Sequence, residues 1–353
     1  MSAASYSRGV KFEERLRACT YRRQLLGRAA PDVDEALRDV IGVYSSHPSA
    51  PLSLWARTRD FDAAAFQAAD AVRTPAMRGS VFMLPSDTAH LAFRAISEPG
   101  SRRAYVLNYF GLSEKDYEKR RDKVVKAATR EPLTAKELRK ITGVEKESML
   151  VSVMARDGVI RRVPAGSLRS NALRYVAADI PEADPEEALA WLAGEYLRAF
   201  GPARPEDFVW WSGAPPKRAK AALATVDTDE LEGGHLIRTE DVKEFESVTP
   251  PPSDAIDVVP KWDAYTMGYP GDGRARLVDP KYQDRAYDFR GDGIGLVLVG
   301  GLAAAAWTSR FKGKRMEVEL DAFRKPTAKA KRAIRERFEA LAELMEAKEL
   351  RLG

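Results

Sequence analysis

The sequence predicts a mainly helical α+β fold, in which tandem helix-turn-helix modules precede a small C-terminal β-domain or partial barrel. Residues 134–176 run as helix, glycine turn, helix and two-stranded ribbon, and residues 204–238 repeat that order more weakly. Beyond the proline-rich linker at residues 249–253, short strands replace the helical pattern. These changes predict four domains, at residues 1–100, 101–180, 181–248 and 253–353.

The first domain is predicted to contain short helices and one strand. Apolar residues at three- and four-residue steps predict helices over residues 13–26, 35–41 and 63–71. A short apolar helix should end at Leu54–Arg57, after a turn punctuated by proline. Residues 78–85 are rich in strand-forming side chains and should be followed by a further helix. This order is compatible with a winged helix.

The second domain carries the clearest helix signals in the chain. After a polar helical connector, Thr134 and Glu137 match a capping box, in which each side chain satisfies a backbone donor at the helix start. That helix should end at Gly143, and a second should cover residues 145–157. The ribbon strands are predicted at residues 159–163 and 172–176. This is the winged-helix order, which serves either DNA recognition or protein interaction, and both interpretations stay open.

The remaining chain is predicted to add a third helical module and then the β-domain. Helices are expected at residues 185–200, 204–213 and 215–226, followed by a ribbon stub at 233–238. Trp210 and Trp211 lie at a helix centre and are predicted to be core aromatics. Short strands are predicted at residues 256–259, 286–289, 295–299, 303–308 and 315–320, and a charged helix at 327–350.

Composition limits the classes of function. Hydrophobic residues are 44% of the 353, charged residues are 31%, and no run approaches a membrane span or an apolar signal core, so a cytoplasmic protein is expected. The single cysteine, Cys19, should be a buried small hydrophobe, and the three histidines lie far apart, so no cofactor and no metal are expected. The net charge of +5 permits nucleic-acid binding without requiring it.

Three segments carry a resemblance to a known family. They are residues 43–57 (VYSSHPSAPLSLWAR), residues 73–80 (RTPAMRGS) and residues 262–269 (WDAYTMGY). Together they resemble the winged-helix DNA glycosylase family of AlkZ and YcaQ, over roughly Arg15 to Phe323. The resemblance implies tandem winged helices and the removal of alkylated purines, including bulky or crosslinked adducts, from double-stranded DNA.

The resemblance also assigns a catalytic segment. In the family it reads roughly Gln-x-Gln or Gln-x-Asp before an Asp/Asn-Pro turn, and alignment on Pro48 puts Tyr44 and Ser46 in place of that pair, with His47 next. An alkylated purine is already a good leaving group, so the protein must position water and stabilise a cationic sugar. Tyr44 and Ser46 can orient water, neutral His47 can act as a base, and Asp263 can supply negative charge. Asp263 can equally cap a turn, and Ser46 and Tyr44 can equally serve the turn and the packing.

Basic side chains on the predicted modules are the candidate DNA contacts, because guanidinium and ammonium groups suit phosphate oxygens. They are Arg57, Arg78, Lys146, Arg156, Arg161, Arg162, Arg169, Lys217, Arg218 and Lys220. Arg78 can instead form a structural ion pair. The sequence therefore predicts a monomeric alkylpurine DNA glycosylase; the alternatives are a family member that binds DNA without catalysis and a protein-interaction scaffold.

Overall fold

The computed structural model describes residues 10–45, 49–98, 100, 102–164, 168–169 and 172–353, without the side chains of Glu147 and Pro164. The helices are α1 (Phe12–Arg23), α2 (Val33–Asp39), α3 (Ser49–Trp55), α4 (Ala63–Ala68), α5 (Ala89–Ile96), α6 (Arg103–Phe110), α7 (Glu114–Ala128), α8 (Ala135–Thr142), α9 (Glu147–Arg156), α10 (Pro185–Phe200), α11 (Pro205–Ser212), α12 (Pro216–Leu223), α13 (Val242–Ser247), α14 (Gln283–Ala286) and α15 (Ala328–Leu344). The strands are β1 (Val43–Tyr44), β2 (Ala71–Pro75), β3 (Val81–Pro85), β4 (Ile160–Pro164), β5 (Leu173–Ala177), β6 (Thr228–Leu231), β7 (His235–Arg238), β8 (Ile256–Val259), β9 (Gly295–Val299), β10 (Leu302–Lys312), β11 (Arg315–Ala322) and β12 (Glu349–Leu352). The α+β class predicted from the sequence is confirmed.

A five-stranded sheet joins the first two predicted domains. Its order is β1-β3-β2-β4-β5, and the two halves meet where Arg73 of β2 pairs with Arg162 of β4. The first half includes β2, which the sequence analysis missed because it lies just before the apolar run that signals β3. This pairing places Arg73 and Arg162, which are far apart in the sequence, side by side in the sheet.

Helices α8 and α9 and strands β4 and β5 follow one another in the order expected for residues 134–176. Thr134 and Glu137 make the reciprocal capping box, and Gly143 ends α8 in the left-handed conformation that favours glycine. Helices α6 to α9 and the start of the ribbon enclose a separate small core around Leu138, Leu150 and Met154. The ribbon β4-β5 follows directly, so this part of the chain has a local core of its own.

The C-terminal sheet has the order β12-β11-β10-β9-β8. Its long hairpin β10-β11 is antiparallel, while β12 runs parallel to β11, and α15 packs on β8. Two predictions are wrong here. Residues 286–289 lie in the end of α14 and a tight turn, and residues 349–352 form β12 because Leu350 and Leu352 face the core rather than extending the helix.

One large hydrophobic core spans the rest of the molecule. It includes Leu54 of the first predicted domain, Tyr196 of the third and Phe338 of the last, each fully buried. Cys19 is also buried, and burial raises the pKa of its thiol to about 11, so it behaves as the inert hydrophobe that was expected. The domain boundaries proposed from the sequence stay predictions, because this core passes across them.

A fully buried ion pair links the end of α3 to the segment after β8. The guanidinium of Arg57 donates from Nη2 to Oδ1 of Asp263 at 2.6 Å and from Nη1 to Oδ2 at 2.8 Å. Ser53 Oγ also donates to Oδ2 at 2.7 Å, and the backbone N–H of Tyr265 donates to Oδ1 at 2.9 Å. Both carboxylate oxygens are therefore saturated, which is the condition under which a buried charge is tolerated.

Removing one partner of this pair should destabilise the fold strongly. Asp263→Asn leaves Arg57 charged and without its counter-ion in the core, and we expect a loss of about 3–5 kcal/mol in the free energy of unfolding, measured by urea denaturation. The matched control is Asp87→Asn, which breaks the exposed pair with Arg38 and should change stability little. Equal effects of the two substitutions would contradict this role for Asp263.

Candidate functional site

A surface cleft of about 420 Å³ gathers residues from five separate segments of the chain. Its lining residues are Tyr44, Arg78, Ser80, Trp210, Trp262, Arg290 and Asp292. Three of these are aromatic, two are cationic and one is a carboxylate. A larger pocket of about 600 Å³ lies between the C-terminal sheet and α15, but it is lined mainly by small apolar side chains and contains none of the predicted site residues. The smaller cleft is therefore the candidate site.

Tyr44 forms one wall of this cleft. It ends β1, where it pairs with Phe82 of β3, and its ring lies 4.3 Å from the Phe82 ring and 6.4 Å from that of Trp262, centroid to centroid. Only 6% of the residue is exposed, yet its hydroxyl has no hydrogen-bond partner among the described residues. A buried phenol normally finds a partner, because an unpaired polar group costs about 1–3 kcal/mol. The hydroxyl is thus available to a group that enters the cleft.

Arg78 crosses the cleft on a strained turn. Its φ of 54° is left-handed, which is unusual for a residue with a side chain, and its Cζ lies 4.0 Å from the ring centroid of Trp210 and 5.6 Å from that of Tyr44. Gly213 lets α11 approach this turn, since a Cβ there would sit 2.9 Å from the Arg78 Cα. Burial lowers the pKa of Arg78 to about 10, so it stays cationic at neutral pH. Within the described part of the chain, no hydrogen bond or ion pair engages its guanidinium.

A tight loop at residues 287–293, the 287–293 loop, supplies Arg290 and Asp292. Asp288 Oδ1 accepts hydrogen bonds from the backbone N–H groups of Arg290 at 2.9 Å and of Asp292 at 3.1 Å. The turn closes through Asp288 N–H to the Asp292 carbonyl at 2.9 Å, and Gly291 takes the positive φ that this requires. The loop also presents Phe289, which is 93% exposed.

A cluster of arginines lies beside the cleft. Arg156 of α9 donates to the carbonyl of Gly79 at 3.0 Å, directly next to Arg78. Burial, followed by repulsion from Arg102 and Arg162, lowers the pKa of Arg156. The buried Nε of Arg162 has no hydrogen-bond partner among the described residues. Within the described residues Arg102, Arg156 and Arg162 form no ion pair with an acid, and neighbouring cations of this kind favour an anion near them.

Two predicted site residues prove to be structural. Asp263 and Arg57 are fully buried and bound to each other, so Asp263 does not face the cleft and Arg57 does not reach a surface where DNA could contact it. Because neither side chain is exposed, neither can contact DNA directly in this structure. Asp263 does begin a turn, as the alternative interpretation held, by accepting the Tyr265 N–H. Ser46 and His47 lie outside the described residues.

The other predicted DNA contacts are spread over the surface. Arg218 is paired with Glu186 at 2.7 Å and Lys220 with Glu206 at 3.4 Å, while Lys217 is exposed beside them. Lys146 donates to Tyr109 Oη at 2.6 Å. Arg169 stacks on Phe311, and Arg161 is half-buried on β4. Only Arg78, Arg156 and Arg162 of the predicted set lie at or next to the cleft.

The described residues contain no group of His, Cys, Asp and Glu side chains arranged to hold a metal ion. None of the helices in the described ranges is both long and apolar enough to cross a bilayer.

The profile of the DNA glycosylase AlkZ-like family matches residues 34–344. This chain belongs to that family. Among solved structures, the DNA glycosylase AlkZ of Streptomyces sahachiroi is similar, with a TM-score of 0.73 and 20% sequence identity, over 96% of this chain and 98% of that one. At this identity, the likeness supports the fold. No curated protein matches the sequence.

In this AlkZ-like chain, five of the seven lining residues of the cleft were not among the predicted site residues: Ser80, Trp210, Trp262, Arg290 and Asp292. Both Trp210 and Trp211 were expected in the core. Trp211 is buried there, but the ring of Trp210 lines the cleft and stacks on the guanidinium of Arg78. Asp292 and Arg290 lie in a Gly-Asp-Gly segment that was interpreted as a plain turn. The turn is real, but its side chains face the site, and only the long-range fold places them there.

The unpaired hydroxyl of Tyr44 should cost stability rather than provide it. We expect Tyr44→Phe to leave the free energy of unfolding unchanged or to raise it by about 1 kcal/mol, because the substitution removes an unsatisfied buried group. The control is Tyr21→Phe, an equally buried residue whose hydroxyl donates to Asp257 at 2.7 Å; it should lose about 1.5–3 kcal/mol. Urea denaturation measures both, and a large loss in Tyr44→Phe would mean that its hydroxyl has a structural partner.

Proposed function

We propose that this chain is a monofunctional, cofactor-free DNA glycosylase that removes N7- or N3-alkylated purines, including bulky or crosslinked adducts, by hydrolysing the N-glycosidic bond. The observation that carries the proposal is the buried hydroxyl of Tyr44 at the wall of an open cleft, which has no hydrogen-bond partner among the residues that the structure describes. Tyr44 also stands where the resemblance puts the first catalytic glutamine of the family. A polar group kept unsatisfied against its energetic cost is a mark of a functional site.

The aromatic lining suits an alkylated purine. Such a base carries a positive charge, and Tyr44, Trp210 and Trp262 offer ring faces that attract cations and stack on bases. Arg78 lies between two of these rings and has N–H donors to spare. A guanidinium in that position can hold a phosphate of the strand while the rings contact the base. The cleft is open at the surface, so a bulky adduct need not be fully enclosed.

The catalytic segment completes the site in this proposal. Tyr44 Oη orients the attacking water, and the resemblance assigns Ser46 and His47, which follow it in the chain, to the same catalytic segment. Positioning of this kind is most effective against a substrate whose bond is already weak. Asp263 has no part in it, because its carboxylate is saturated by Arg57, Ser53 and Tyr265.

The DNA backbone is proposed to lie across the arginine cluster. Arg156 and Arg162 come from the unit formed by α8, α9, β4 and β5, which we interpret as a winged helix, and Arg102 adds a third cation. Phosphate oxygens would relieve their mutual repulsion, and bidentate guanidinium groups fix a strand in register. Lys146, Arg161, Arg169 and Lys217 would extend this contact. The partner is thus double-stranded, damaged DNA, bound by a monomer, in the nucleoid.

Purified protein should release 7-methylguanine from methylated duplex DNA and leave abasic sites, without any added metal or nucleotide. Tyr44→Phe should lower the single-turnover rate about tenfold or more, because the water loses its orienting group, while stability stays at or above that of the wild type. The measurement is base release by chromatography, together with alkaline cleavage of a labelled strand, over a panel of alkylating agents.

The binding arm of the same experiment separates the other two functions. Duplex affinity should fall steeply with salt, as expected when several phosphates are contacted. Salt-sensitive binding with no base release from any methylated or bulky adduct would favour a DNA-binding protein without catalysis. Absence of binding even at low salt would favour a protein-interaction scaffold.

A further inference from the structure

We propose that Asp292 is the catalytic carboxylate of this glycosylase, an assignment that rests on the proposed function. The segment at Tyr44, Ser46 and His47 contains no acid, so it cannot by itself supply negative charge to the cationic sugar that forms as the base leaves. Asp263 cannot supply it either, since it is enclosed in the core. A carboxylate facing the sugar would stabilise that positive charge, because oriented electrostatics provide much of the stabilisation of such a transition state.

Asp292 is the carboxylate of the cleft lining, which it shares with Tyr44 and Trp262. Neither a hydrogen bond nor an ion pair occupies its side chain within the described residues. This sets it apart from Asp288 in the same loop, whose oxygens cap two backbone N–H groups and lie 3.5 Å from Lys261 Nζ. Among the described residues, the Asp292 carboxylate and the Tyr44 hydroxyl therefore line the same cleft without a hydrogen-bond partner, and both can contact a ligand there.

Hydrogen bonds hold the backbone on both sides of Asp292. Arg274 donates to the carbonyl of Gly291 at 2.7 Å, and the backbone N–H of Trp262 donates to the carbonyl of Gly293 at 2.9 Å. The residues before and after Asp292 are thus both held by hydrogen bonds. One of these bonds comes from Trp262, which itself lines the cleft. Such support is what a positioned catalytic group requires. The negative charge of Asp292 also interacts with two guanidinium groups: that of Arg78, which lines the cleft, and that of Arg274, which binds the loop.

The chemical step then balances without a cofactor. The C1′–N9 bond breaks, and its electron pair stays on the purine, which leaves as a neutral base because it carried a positive charge before. Asp292 stabilises the resulting oxocarbenium sugar. Water oriented by Tyr44 Oη adds to C1′ and loses its proton to Asp292, which passes it to solvent. The products are the free alkylpurine and an abasic sugar with a C1′ hydroxyl.

The decisive comparison is between Asp292→Asn and Asp284→Asn. Asp284 lies on α14, a few residues away, is exposed and has no described side-chain partner, so both substitutions remove one negative charge from the same segment. Removing an acid near bound DNA should strengthen duplex binding slightly in both. We expect the single-turnover rate of 7-methylguanine release to fall about 100-fold or more in Asp292→Asn and to stay within twofold in Asp284→Asn.

Each result decides one question. Thermal unfolding of both variants should match that of the wild type, since neither side chain has a structural partner. A wild-type protein that releases base, with Asp292→Asn within threefold of it, overturns the assignment of Asp292 and leaves the proposed function standing. A wild-type protein that releases no base overturns both. A rate lost in Asp292→Asn with duplex affinity retained establishes a role in the chemical step rather than in binding.

A second inference comes from a separate observation, the exposure of Phe289. A phenylalanine that is 93% exposed loses the free energy it would gain by burial, and the loop that carries it is rigid rather than loose. Arg290, whose Cζ lies 5.2 Å from the Phe289 ring centroid, lines the cleft. An apolar ring next to a cation at the edge of a DNA-binding cleft matches the side chains that insert between base steps.

We infer that Phe289 is a wedge that unstacks the duplex beside the lesion. Insertion would bury its ring between bases and place Arg290 against the adjacent phosphate. The unstacking would open the glycosidic bond of the damaged nucleotide to the groups of the cleft. This inference requires DNA binding but not catalysis, so it can be tested on the binding step alone.

Fluorescence of 2-aminopurine, placed on either side of the lesion, reports the unstacking. Wild-type protein should raise the signal at one flanking position, and Phe289→Ala should abolish the rise and weaken binding about tenfold, while Phe289→Trp should restore both. The control is Tyr105→Ala, which removes another exposed aromatic side chain, 70% exposed on α6. Phe289→Ala with wild-type fluorescence and affinity, or a DNA complex with no rise in the wild type, would overturn the wedge.

Discussion

The buried pair between Arg57 and Asp263 is the constraint on which the site depends. It joins the end of α3 to the segment that begins with Trp262, two stretches more than two hundred residues apart in the chain. Because Trp262 precedes Asp263 directly, the pair also fixes the wall that faces Tyr44. A buried ion pair adds little net stability compared with apolar packing, but it penalises every arrangement that leaves either charge alone. It therefore specifies how the two halves of the cleft meet.

Local features of the fold could be predicted from the sequence. The capping box at Thr134 and Glu137, the glycine at the end of α8 and the ribbon after Gly158 all follow from short-range chemistry. The linker at residues 249–253 does precede a change to β-structure. The predictions that failed concern strands that pair with residues far away in the sequence. Strand β12 pairs in parallel with β11, and β2 joins β4, through contacts between distant residues that leave no periodic signal in either segment.

The candidate site shows the same division between local and distant information. Tyr44 and Arg78 were recognised because they lie in segments with a recognisable family pattern. Trp210, Arg290 and Asp292 were not, because each lies in a local structure that explains it without any function: a helix centre and a Gly-Asp-Gly turn. Asp263 was overvalued for a related reason. Sequence identifies a carboxylate next to a tryptophan but says nothing of whether its oxygens are already in use.

Whether a polar side chain already has hydrogen-bond partners distinguishes the structural residues from the candidate site residues better than the sequence around it does. Asp263 accepts hydrogen bonds at both oxygens, and its removal would expose Arg57; that is how a charge is made tolerable in a core. The cleft is built in the opposite way. Among the described residues, the buried hydroxyl of Tyr44 and the half-buried carboxylate of Asp292 have no hydrogen-bond partner, and Arg78 adopts a left-handed backbone with its pKa lowered by burial. The features of Tyr44 and Arg78 cost stability, and all three residues line one cleft. Such a loss of stability is typical of a binding site, because a substrate that pairs with these groups forms the interactions that the free protein lacks.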